Sequence, residues 1–153
     1  MPFAEGTTVS VAKSRAEIES LVSKYGATRF AGGWTETGAA INFVANNRLV
    51  RFSLPLPTKD NKRVRARALR LSRTNYSIDQ AALDRAIDEE TRRRWRCLLL
   101  AIKSKLEVVE TGIETFEQAF LANIVTTENI TVYERIKLEE SGVRMLPAAE
   151  AGG

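Results

Sequence analysis

One helical period runs through the centre of this chain and limits what the rest can do. Across residues 77–110, Leu83, Ile87, Thr91, Trp95, Leu98, Leu99, Ile102, Leu106 and Val109 recur at three- and four-residue steps, so one side of a long helix is apolar and needs cover. Ser77-Ile78-Asp79-Gln80 has the S-x-x-Q form of a capping box and predicts the start, and Thr111-Gly112 predicts the stop. At 1.5 Å per residue such a helix is about 50 Å long, more than a small sheet can cover. A kink, a break near residues 88–91 or an overhanging half is therefore expected.

Charge divides the same helix. Asp84, Asp88, Glu89 and Glu90 precede Arg92, Arg93, Arg94 and Arg96. The pairs Asp88 with Arg92, Glu89 with Arg93 and Glu90 with Arg94 all have the favourable i, i+4 order, so this arginine block can be neutralised within its own helix. Trp95 shares the apolar side and is expected as a packing anchor rather than a stacking platform. Cys97 is expected to be buried or half-buried.

Upstream, Thr7-Thr8-Val9-Ser10-Val11 is compatible with a short edge strand. Ser14-Arg15-Ala16-Glu17 reads as a capping box, Ile18, Leu21, Val22 and Tyr25 make one stripe, and Gly26 suits a left-handed cap, which predicts a helix over 14–25. The period then changes from 3.6 to 2. Phe30 with Trp34, Ile41 with Phe43, and Val50 with Phe52 and Leu54 predict three strands, ended by Pro55 and Pro57. Glu36-Thr37-Gly38, with a glycine available for positive φ, and Asn46-Asn47 supply the turns of an antiparallel meander, which the first helix should cover. Arg29, Asn42, Arg51 and Ser53 fall on the opposite parity with Val44 and Leu49, as a solvated outer face or one that touches a ligand.

Residues 58–75 hold seven basic side chains and one acid. Basic and small apolar residues alternate from Arg63 to Ala68, so an extended segment would point its guanidinium groups one way. The segment is read as a mobile basic loop, solvated or in contact with phosphate, which arginine grips with two parallel hydrogen bonds. Beyond the long helix, Thr115-Phe116-Glu117-Gln118 is a further capping box, for a helix of about nine residues that folds back as a helical hairpin. Residues 124–126 and 130–132 could pair around Glu128-Asn129, residues 133–140 form a last helix, and 147–153 are expected as a disordered tail. The whole is an α+β fold in one domain, residues 1–146, of N-terminal helix, three-stranded antiparallel meander, basic loop, long helix and C-terminal helical hairpin.

Composition narrows the chemistry. The chain has 153 residues, 23 basic against 19 acidic side chains, no histidine and one cysteine. That leaves no Ser-His or Cys-His nucleophile pair, no zinc cluster and no internal disulfide, and there is no P-loop. No enzyme, metal or cofactor is expected. The longest apolar run, residues 97–102, is far short of the roughly 20 residues of a membrane span, and no export signal is visible, so a cytoplasmic location is expected.

Arg93-Arg94-Trp95-Arg96-Cys97-Leu98-Leu99-Leu100-Ala101-Ile102-Lys103-Ser104-Lys105-Leu106-Glu107, Gly112-Ile113-Glu114-Thr115-Phe116-Glu117 and Phe120-Leu121-Ala122-Asn123-Ile124-Val125, with Ser14-Arg15-Ala16-Glu17-Ile18-Glu19 and Tyr25-Gly26-Ala27, resemble a family of small uncharacterised proteins of phages, prophages and other mobile elements. The likeness spans most of 14–135. Family members carry a Leu-Pro-Asp-Gly turn where this chain has Thr126-Thr127-Glu128-Asn129. The resemblance implies an intracellular role in the host cell and brings no catalytic residue with it. The order of helix, meander and helix is also similar to that of double-stranded-RNA-binding and single-strand-annealing folds, by topology alone.

The expected function is phosphate-mediated nucleic-acid binding through Lys59, Lys62, Arg63, Arg65, Arg67, Arg70 and Arg73, with Arg92, Arg93, Arg96 and Arg51 in support. The alternative is an inhibitor that binds a host defence protein complex, in the manner of an anti-CRISPR protein. A homo-oligomer built on the overhanging half of the long helix is a third, structural reading.

Overall fold

The computed structural model describes residues 5–74, 76–137 and 142–152. Helix α1, Glu5–Lys24, precedes strands β1 (Thr28–Trp34), β2 (Gly38–Ala45) and β3 (Arg48–Pro55), which form one antiparallel sheet in the order β1-β2-β3. The meander is therefore as the period-2 pattern requires. Asn46 and Asn47 take φ of 51° and 61°, both left-handed, which matches the twist of a two-residue hairpin. Gly38 does not have a positive φ, contrary to expectation. Its hydrogen side chain is needed because a Cβ there would collide with the Leu54 carbonyl oxygen across the β2–β3 ladder.

Helix α1 starts well before Ser14, so the expected cap lies mid-helix and Val11 is a buried helical residue, not part of an edge strand. Its end is as read: Gly26 has φ +93°, and its amide and that of Ala27 bond the Ser23 and Val22 carbonyls in a Schellman motif. Ile18 and Val22 are buried, with Leu21 and Tyr25 packed at the edge.

The main core lies between one face of the sheet (Ile41, Phe43, Val50 and Phe52) and helices α1, α3 (Gln80–Glu110) and α4 (Phe116–Phe120). Phe120 is its centre, edge-on to Phe43 and Phe52 at 6.4 and 6.2 Å between ring centroids. Each such side chain contributes roughly 1.5–3 kcal/mol through burial. Trp34 is exposed although it shares parity with Phe30, because β1 is the sheet edge.

Helix α4 has five residues and continues as a 3-10 turn, Leu121–Asn123. Its Thr115–Gln118 capping box is formed. Ile124 then bridges Val50, and the Val125 amide donates to the Leu49 carbonyl at 2.8 Å, so this segment lies along β3. The expected C-terminal hairpin shrinks to one bridge, Val125 with Thr131. A capping box at Thr131 and Glu134, not read from the sequence, opens α5, Val132–Ile136. The rest of the expected last helix falls partly outside the described residues. Ala148–Ala151 forms a single helical turn, α6, where no structure was expected.

Helix α3 runs unbroken for 31 residues, so the expected interruption near residues 88–91 is not there. Its start is Asp79 rather than Ser77, without a side-chain cap bond. Trp95, Leu98, Ile102 and Leu106 enter the main core, as the periodicity requires. The other half overhangs the sheet and is covered by a helix instead. Residues 58–75, read as a mobile loop, contain α2, Lys62–Leu71. Val64 and Ala68 of α2 form a second small core with Leu83 and Ala86 of α3, edged by Ile78 and Ile87. The molecule thus has a body and a two-helix arm. Among the described residues no helix is long and apolar enough to cross a membrane.

Candidate anion-binding site

Helix α2 forms because its sequence, Lys-Arg-Val-Arg-Ala-Arg-Ala-Leu-Arg-Leu, is almost wholly strong helix formers. Asn61 caps it, accepting the Val64 amide at 3.1 Å. The turn into α3 is tied at both ends: Ser72 donates to the Ala68 carbonyl and accepts the Asp79 amide, while the Asp79 carboxylate accepts the Arg73 amide. This use of Asp79 explains why it does not cap its own helix.

Helical spacing brings Arg63, Ala66, Arg67 and Arg70 to one face of α2, opposite Ala86, Glu89, Glu90 and Arg93 of α3, around a cleft of about 590 Å³. Two carboxylates gather the arginines. Glu90, with its side chain 8% exposed, accepts Arg63 Nε at 3.0 Å and Arg93 Nη1 at 3.2 Å, and lies 3.5 Å from Arg94 Nε. Arg94 Nη1 also donates to the Pro55 carbonyl at 2.7 Å, tying the arm to the end of β3. Glu89 accepts Arg67 through Nε at 2.9 Å and Nη2 at 3.4 Å. The Arg67 hydrogen bond holds the Glu89 carboxyl below its ordinary value against the opposing effect of burial, and the charges of Arg67, Arg85 and Arg92 lower it further.

The expected self-pairing of α3 is only partly present. Glu90 pairs with Arg94 as expected, but Glu89 turns to Arg67 on α2, and among the described residues no Asp88–Arg92 ion pair is within 4 Å. Cys97 is exposed, not buried. Trp95 is buried as a packing residue, its Nε1 without a hydrogen-bond partner among the described residues.

The expected contact residues separate into groups. Arg63, Arg67, Arg70 and Arg93 line the cleft. Lys59, Lys62, Arg65, Arg73 and Arg96 are exposed, and Arg65 donates to the Lys59 carbonyl at 3.2 Å. Arg92 is half-buried, on a helical stripe with Arg85, Glu89 and Arg96. Arg51 is not with them: its guanidinium bonds Asn42 and the Asn129 carbonyl and side chain at 2.9–3.0 Å, fastening the 126–131 turn to the outer sheet face. It has a structural task there. Arg85, Glu89 and Glu90 were not read as part of the site, although Arg85 stands four residues before Glu89.

Residues 62–96 carry 11 basic and 5 acidic side chains, +6, against +4 for the whole chain, so the rest of the protein is slightly acidic. Comparison of the chain with models of known families, with curated proteins and with solved structures returns no match.

Proposed function

We propose that this is a non-catalytic nucleic-acid-binding accessory protein whose α2–α3 arm grips phosphate groups, in the mobile-element setting that the sequence resemblance implies. The observation that carries the reading is the concentration of a +6 charge in an arm with its own small core, when the whole chain carries only +4. Exposed arginines on one element raise the local concentration of a polyanion and give affinity without base readout.

Gel-shift titration across a salt series tests it. Charge reversal at Arg65, Arg70 and Arg96, none of which holds an ion pair with another described side chain, should abolish the shift without unfolding the arm. Binding by the unaltered protein should weaken with salt, with a slope near −0.9 per phosphate contacted on duplex or −0.7 on single strands. Absence of any shift at low salt overturns the reading, and a stoichiometric protein partner that survives nuclease treatment would replace it with the inhibitor of a host defence complex.

A further inference from the structure

We infer that the α2–α3 cleft is a seat for a single phosphomonoester, so that the protein recognises a terminal phosphate, on a strand end or on a free nucleotide, apart from the strand's internal backbone. The inference rests on the phosphate-binding reading above and names which phosphate the cleft takes.

Charge balance is the first ground. Arg63, Arg67, Arg70 and Arg93 stand around Glu89 and Glu90, a residual +2. A phosphomonoester carries about −1.5 to −2 at neutral pH, where an internal phosphodiester carries only −1. The second ground is how the guanidinium groups are held. Arg63 is bonded to Glu90 through Nε alone, which leaves both of its terminal nitrogens uncommitted among the described residues. Arg93 uses only Nη1, and Arg70 has no side-chain bond to a described residue. The carboxylates therefore orient arginines by one edge and leave the other edge for a planar, two-point contact with oxygen.

Shape is the third. Val64 and Ala86, each 1% exposed, form the floor between the long side chains, so the site is recessed rather than flat, and at about 590 Å³ it lies in the roughly 300–1,000 Å³ range of small-ligand clefts. An internal phosphate is flanked by chain on both sides and is met by an outer surface such as that of Lys62 and Arg65. A terminal phosphate can enter a recess.

Fluorescence anisotropy with one short oligonucleotide, prepared with a 5′-phosphate and with a 5′-hydroxyl, tests the seat. The expected result is about tenfold tighter binding of the phosphorylated probe, as for one strong charge-assisted contact set. Arg70→Ala should erase that preference in a protein whose circular dichroism is unchanged. Lys62→Ala should weaken both probes equally. A third arm titrates adenosine monophosphate by calorimetry. Equal affinity for the two oligonucleotides overturns the seat and leaves nucleic-acid binding standing. Arg70-dependent binding of the mononucleotide with no binding of either oligonucleotide overturns the nucleic-acid reading and supports the seat for free nucleotides. Failure of all three ligands overturns both.

Discussion

Replacing Glu90 tests whether the arm is held by one carboxylate. Its side chain is 8% exposed, while Arg63, Arg93 and Arg94 are 64%, 50% and 25% exposed. Removing one partner of a buried ion pair costs about 3–5 kcal/mol when the survivor stays buried and unpaired. Here the survivors are arginines that reach water, and Arg94 keeps the Pro55 carbonyl. Glu90→Ala should therefore cost only about 1–2 kcal/mol, the net worth of charge-assisted hydrogen bonds already partly solvated. The reverse deletion is not equivalent. Arg63→Ala alone should cost less than about 1 kcal/mol, because Glu90 retains two partners. Removing Arg63, Arg93 and Arg94 together strands the buried carboxylate and should cost about 3–5 kcal/mol. Urea unfolding measures the totals, and native-state hydrogen exchange locates them: in Glu90→Ala, α2 amides should exchange roughly 5- to 30-fold faster while β2 amides hold. Unchanged α2 protection, or an Arg63→Ala cost equal to that of Glu90→Ala, would refute this account.

Other substitutions address the body and the pH response. Gly38→Ala should destabilise by about 1–3 kcal/mol or more in urea unfolding, since its Cβ meets the backbone of Leu54 rather than a movable side chain. Phe120→Ala should cost about 3–5 kcal/mol, because it empties the place where three rings meet, and the loss of near-ultraviolet dichroism would report it. Glu89 has a folded pKa below its ordinary 4.5, so its contribution is complete above that value and is lost as pH falls through it towards the folded value. The urea midpoint of the parent should therefore fall more steeply than that of Glu89→Gln between about pH 6 and about pH 3, and parallel profiles would refute the pairing with Arg67.

Strands and core were legible because their cause is local. Parity in β2 and β3 and the 3.6 period of α3 each set a buried face within one element, and Ile41, Phe43, Trp95 and Ile102 fell where the pattern put them. Starts of helices were legible only where a breaker preceded them. Thr115 follows Gly112 and caps, whereas Ser14 follows residues that continue a helix and does not. Alternation from Arg63 to Ala68 misled for a related reason: arginine and alanine suit a helix better than an extended arm, and Asn61 was the overlooked start. The cleft was beyond the reach of spacing rules. The ion pairs that join its two helices link residues 22 and 27 positions apart, and nothing local says that Glu89 turns from Arg93 on its own helix to Arg67 on another.

Helix α3 has no glycine or proline from Gln80 to Glu110, and it passes from the small core into the main one within that length. Mechanically it is a cantilever. Trp95, Leu98 and Ile102 clamp its root beneath the sheet, and the Arg94 bond to Pro55 braces it just beyond the clamp. With no joint at which to rotate, the α3 half of the arm moves against the body by flexing the helix or by lifting Trp95 from its seat. A load taken up at the cleft therefore arrives at the sheet, and the aim of the arginines is fixed by the packing of the body.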